Sequence, residues 1–143
     1  MREILFRGKR ADNEEWVEGA FSSHSWNYFG EREEKTQIIV FSEIEDFDGL
    51  WCEVLPKTVG QYTGLTDKNG KKIFEGDILS AHLDEDNPDY ETVVQVIWEE
   101  YGWRTMEENG LSDPLDDEDA EIFAIIGNIH DNPELLEGGE GNG

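Results

Sequence analysis

Apolar residues in this chain come in short runs, each halted by glycine, proline, asparagine or aspartate. No stretch sustains the three- and four-residue spacing of an amphipathic helix. The runs at residues 3–7, 16–21, 37–41, 51–55, 60–63, 72–74, 78–83, 92–98, 103–106 and 122–126 draw on β-branched and aromatic side chains, which suit a pleated, half-buried surface. Leu79, Ala81 and Leu83 alternate onto one face of their run, as do Val94, Val96 and Trp98. Residues 122–126 are apolar on both faces, so that strand is expected in the middle of a sheet. The expected fold class is mainly β. One helical turn is expected at 132–136, with Asn132 as N-cap, Pro133 in the first position and Glu134 at the positive helix end. The acidic, glycine-rich tail at 137–143 is expected to be disordered.

Charge limits the partners. The 143 residues carry a formal charge of −24, and it is unevenly spread. Residues 1–72 hold 10 basic and 14 acidic side chains, whereas residues 73–143 hold 1 and 21, Arg104 being the only base after Lys72. Like-charge repulsion argues against direct binding of nucleic acid or an anionic membrane. Such acidity often accompanies disorder, but five Trp, four Tyr and seven Phe can build a core. The single cysteine, Cys52, excludes an internal disulfide framework and reads as a packed thiol. No run is long enough to cross a bilayer and the N-terminus lacks a signal-peptide pattern, so a cytoplasmic protein is expected. One domain is expected over 1–136, with an N-terminal β region to about residue 55 and a second part at about 59–129.

The most specific stretch lies between Val59 and Leu79. Asp67-Lys68-Asn69-Gly70 falls between Tyr62/Leu65 and Ile73/Phe74, which predicts a tight hairpin. Asp67 can accept backbone N–H bonds in an Asx turn, and Gly70 can take positive φ without steric cost. Glu75-Gly76-Asp77 predicts a second sharp reversal before the next strand.

With Gln61, Tyr62, Thr63, Gly64, Leu65, Asp67, Asn69, Gly70, Glu75, Gly76 and Asp77 in this order, the segment resembles the YopX family of phage and prophage proteins. Met1-Arg2-Glu3-Ile4 with Phe6-Arg7 is similar to the family's opening. Gly127-Asn128 and Asn132-Pro133, with Glu134-Leu135-Leu136, are similar to its ending. The resemblance implies a small Src-homology-3-like β-barrel beside the N-terminal β region and a phage or prophage origin in a bacterial host. It implies no activity, and the signature residues are expected to serve mainly in turning the chain.

No catalytic, cofactor-binding or metal-binding residue is assigned. His24, His82 and His130 lack zinc-site spacing, and the glycines punctuate strands where a phosphate loop would open a helix. The acidic stretches Asp84-Glu85-Asp86 with Asp89, and Asp113 with residues 116–119, read as solvated loops, and neither fits an EF-hand. Trp26 and Tyr28, interleaved with hydrogen-bonding residues, are candidate partner contacts. The expected role is a non-enzymatic interaction module that binds a host or phage protein, or itself as a homo-oligomer. Two alternatives stay open: an acidic nucleic-acid mimic that inhibits a host DNA- or RNA-binding protein, and a carboxylate-based enzyme dependent on a divalent metal.

Overall fold

The computed structural model describes residues 5–26, 29–40, 50–99 and 102–137, with backbone alone at 22–26, 32–37, 39–40, 50–51 and 137. The chain divides into two compact units, Met1–Tyr62 and Thr63–Gly143. Both are built from antiparallel strands, so the protein is mainly β. Among the described residues, no helix is long and apolar enough to cross a membrane.

The first unit is a meander of β1 (Phe6–Lys9), β2 (Trp16–Trp26), β3 (Arg32–Val40) and β4 (Leu50–Glu53), joined by the start of β5 (Gly60–Thr66), which pairs with β1. The β2–β3 ribbon is longer than the apolar pattern predicts. Its register continues past a bulge at Ser22/His24 to set His24 opposite Glu34 and Trp26 opposite Arg32. Backbone pairing extends a ribbon through polar residues whose side chains carry no period-two signal. Ile38 faces Cys52 across β3 and β4, and both are buried together with Val54 and Tyr62. A Cβ on Gly8 would come within 3.1 Å of the Val54 side chain, so this approach depends on a missing side chain. The Arg7 guanidinium lies 4.8 Å from the centre of the Trp16 ring.

In the second unit β5 continues beside β6 (Lys72–Phe74). A five-stranded sheet follows in the order β10-β9-β8-β7-β11, made of β7 (Asp77–Ala81), β8 (Thr92–Glu99), β9 (Gly102–Met106), β10 (Ser112–Pro114) and β11 (Ala124–Asn128). Two short helices, α1 (Asp117–Ala120) and α2 (Glu134–Glu137), flank β11 in the chain. The core is a cluster of Ile73, Leu79, Ala81, Val94, Val96, Leu115, Ala120 and Phe123, with Leu65, Trp103 and Ile125 packed against it. The expected alternation holds in β8, where Val94 and Val96 are buried, but not in β7, all five residues of which are buried. Leu83, past the end of β7, and Trp98, near the end of β8, are about half exposed.

The strand pairings of the described residues show no closed barrel, β10 and β11 being the two edges of the five-stranded sheet. Two expectations are corrected. β11 is an edge strand, although its sequence suggests a central one. Phe123 and Ile125 alternate towards the core, while Ile122 and Ile126 point the other way and are 48% and 38% exposed. Apolar on both faces here does not mean buried on both faces. Finally, Asp113 and residues 116–119, read as a solvated acidic loop, fall in β10 and at the start of α1. Asp116 caps α1 by accepting the Asp119 N–H at 2.9 Å, and Asp117, Glu118 and Asp119 fill the first turn, where the helix end is positive. The expected helical turn at 132–136 is present as α2, and residues 138–143 of the tail lie outside the described residues.

Gly70 has φ 81°, as its place in the Asp67 turn requires. Gly70→Val is expected to cost about 1–3 kcal/mol, and Gly70→Asn distinctly less because asparagine tolerates this region. Urea unfolding of the two variants checks the order.

Candidate functional site

Several signature residues form a turn in the second unit whose centre is Asp67, which is 3% exposed. One oxygen of its carboxylate accepts the N–H groups of Asn69 at 2.8 Å and Lys71 at 2.9 Å, closing the turn. The other accepts the N–H of Ile125 at 2.9 Å, from a strand 58 residues away in sequence. Lys68 N–H donates to Phe123 O at 2.9 Å alongside it. The β5–β6 turn is thus fastened to the start of β11. Burial alone would push the Asp67 carboxyl up, but the N–H bonds from Ile125, Lys71 and Asn69, with the nearby Lys71 charge, outweigh it and hold the group below its ordinary value of 3.8.

A second fastening lies at the β6–β7 turn. Asp77, 1% exposed, accepts Phe74 N–H at 2.7 Å across the turn, and Glu75 is exposed beside it. Gly76 donates to Val96 O at 3.0 Å and accepts Ile129 N–H at 2.9 Å, so the turn joins β8 to the segment after β11. At that end, a Cβ on Gly127 would lie 2.5 Å from the side-chain oxygen of Asn132, which only glycine permits. The same Asn132 oxygen accepts Asn128 N–H at 3.3 Å. The Asn128 side-chain oxygen in turn accepts the N–H groups of His130 and Asp131, each at 2.9 Å. Pro133 is exposed ahead of α2, and Leu135 N–H donates to the backbone carbonyl of Asn132, whose side chain, expected to cap the helix, accepts from Asn128 instead.

The remaining signature residues belong to β5. Gln61 pairs with Phe6, and Tyr62 N–H donates to Leu5 O at 2.7 Å. The Thr63 hydroxyl donates to Ile73 O at 2.8 Å and accepts Leu65 N–H at 3.1 Å, while Gly64 has φ 90°. Of the two candidate contacts, Trp26 is the last residue of β2, described by its backbone only, and Tyr28 lies outside the described residues. Phe29 next to them is 81% exposed.

Several open grooves border α1 on the second unit, two of them with large apolar side chains facing carboxylate-bearing residues. One, of about 360 Å³, has Leu83, Ile122, Phe123 and Pro114 as its apolar lining, with the carboxylates of Asp113, Asp116 and Asp119 along it. The other, of about 450 Å³, runs between Leu65, Trp103 and Leu115, with Asp117 and Glu118 at its edge. Burial, together with the charges of Asp116, Glu118 and Asp113 and a hydrogen bond with Asp116, pushes the Asp119 carboxyl up. Neither groove is legible in the sequence, since the walls of the first come from four separate places in the chain and those of the second from three. The nearest signal was an apolar pair, Ile122-Phe123, directly after an acidic run.

The other acidic stretch works on itself. Asp84 accepts from the Asn87 side chain and from the N–H of Asp86 and Asn87, interactions that hold its carboxyl below the ordinary value. The His82 ring meets Tyr90 O at 3.1 Å across that loop. No group of three or more His, Cys, Asp or Glu is placed to hold a metal among the described residues.

The family model described as YopX protein matches residues 5–137. No curated protein matches the chain. Among solved structures, the crystal structure of protein EF1440 from Enterococcus faecalis is similar, with 22% sequence identity and a TM-score of 0.49, over 95% of this chain and 99% of the other.

Asp67→Asn turns one carboxylate oxygen into a donor, which leaves an N–H group at Asn69 and Lys71 or at Ile125 without its acceptor. The expected loss is about 2–3 kcal/mol, the range for buried hydrogen bonds to a charged group. Folding lowers the Asp67 pKa, so its contribution is complete above the unfolded value near 3.8 and disappears as pH falls through the lowered folded value. Urea titrations between neutral pH and pH 3 are expected to show a steeper acid loss in the wild type than in Asp67→Asn.

Proposed function

The chain belongs to the YopX family, and on that premise we propose that it is a phage- or prophage-encoded interaction module, acting in the bacterial cytoplasm without making or breaking a bond. The observation that carries this reading is the set of large apolar side chains exposed on the acidic second unit. Leu83, Trp98 and Ile122 are 47%, 52% and 48% exposed. Single exposed apolar residues are ordinary, but Leu83 and Ile122 line one groove, and the Trp98 indole meets Trp103 edge-on at 4.9 Å. Clustered apolar surface of this kind favours a protein partner.

The carboxylates support the same reading through the work they already do. Asp67, Asp84 and Asp116 accept backbone N–H bonds in turns and a helix cap, which fixes the exterior rather than gathering acids about a reaction centre. The Src-homology-3-like barrel is kept as a finer reading of the second unit, favoured by the bonds that bring the β5–β6 turn to β11. Self-association into a homo-oligomer is part of the proposal, because the side of β10 away from β9 has no partner strand among the described residues.

Capture from host lysate by the immobilised chain, at low and high salt, tests the module. A protein retained at high salt is expected, since apolar contact survives screening. Capture that collapses with salt points to mimicry of nucleic acid instead. Sedimentation across the accessible concentration range is expected to show a species larger than the monomer, and a monomer throughout removes the homo-oligomer.

A further inference from the structure

Taking the interaction-module reading as its basis, we infer that the groove between Leu83 and Ile122 docks a partner segment in which an apolar side chain is flanked by lysine or arginine. Three features of the groove define that occupant. Its most buried lining residues are Phe123, 5% exposed, and Thr105, 7% exposed, and two more apolar lining residues, Leu83 and Ile122, are each nearly half exposed. A Leu-sized side chain entering the groove removes apolar area from water on both partners.

The rim sets the charge. Asp113, Asp116 and Asp119 stand along the groove, and the crowding that raises the Asp119 carboxyl is relieved by a cation placed among them. The second unit holds four Lys and Arg side chains; Lys68, Lys71 and Lys72, like Arg104, are not among the groove's lining residues, and Arg104 is directed elsewhere. Its Nε donates to Ser112 Oγ at 2.8 Å, and the same nitrogen lies 4.0 Å from Glu99. Charge complementarity therefore calls for the cation to come with the partner.

The groove is also held in shape. Phe123 O accepts Lys68 N–H, and the next strand is tied by Ile125 N–H to Asp67, so the signature turn fixes the groove's floor. Asp116 is both a rim carboxylate and the cap of α1. A rigid floor lowers the ordering cost of docking.

The test uses the full chain and two short synthetic peptides, one alternating Leu with Arg and one alternating Ser with Arg, followed by fluorescence anisotropy. The Leu–Arg peptide is expected to bind the wild type at least about tenfold more tightly, the effect of burying one or more apolar side chains. In Leu83→Ser/Ile122→Ser, two exposed positions, that preference is expected to fall to about one. Asp113→Asn/Asp116→Asn/Asp119→Asn is expected to weaken both peptides, and because asparagine caps helices as well as aspartate, α1 is retained. Equal affinity of the two peptides for the wild type, or an undiminished preference in the double serine variant, overturns the proposal and leaves only diffuse attraction to an acidic surface.

Amide shifts in the wild-type chain give a readout that needs no variant. Perturbations centred on residues 83, 113–119 and 122–123 support the groove, and perturbations centred elsewhere contradict it. Lysate capture separates the two levels. A partner still held by Leu83→Ser/Ile122→Ser sinks the groove while the module stands, whereas no capture by the wild type removes the module and the groove with it.

Discussion

Three backbone N–H groups from two distant parts of the chain meet on one carboxylate, that of Asp67, and the order of the second unit follows from that meeting. Among the described residues β11 pairs with β7 alone, through a ladder shifted between Ile125 and Gly127, and its other side has no partner strand. The turn at Asp67 takes that side over. It supplies an acceptor for Ile125 N–H and a donor for Phe123 O, which are the bonds a further strand would have made. An ionised acceptor suits this task better than an amide, since charge-assisted bonds are roughly twice as strong as neutral ones.

This arrangement also explains how so acidic a unit keeps its shape. Excess negative charge favours expansion of the chain. Here several of the acids are consumed by the backbone. Asp67 and Asp84 close turns, Asp77 accepts across the β6–β7 reversal, and Asp116 starts α1. Such groups stabilise the fold while adding to the field. Others, such as Asp119, crowd against like charges. The division between satisfied and crowded carboxylates is what separates framework from candidate contact surface.

What was legible in the sequence was local. The Asx turn at Asp67, the positive φ of Gly70 and the alternation of Val94 and Val96 in β8 each depend on residues close in the chain, and each is found. What was not legible was long-range. Nothing in the letters around Asp67 announces Ile125, and nothing in residues 122–126 says that Ile122 and Ile126 face outwards. α1 was hidden for another reason. Its capping signal, Asp116 followed by acids in the first turn, lies inside a charge run that reads equally well as a solvated loop. The groove combines both difficulties, since its walls come from β7's end, β9–β10 and the approach to β11.

Native-state hydrogen exchange at the Ile125 amide tests the clamp most directly. If Asp67 closes the free side of β11, that amide exchanges only through global unfolding, with protection matching that of amides buried in the β7–β8 ladder. Exchange at Ile125 by fast local opening, orders of magnitude ahead of that ladder at the same pH, would contradict the account. It would show an ordinary frayed edge where a fastened one is described.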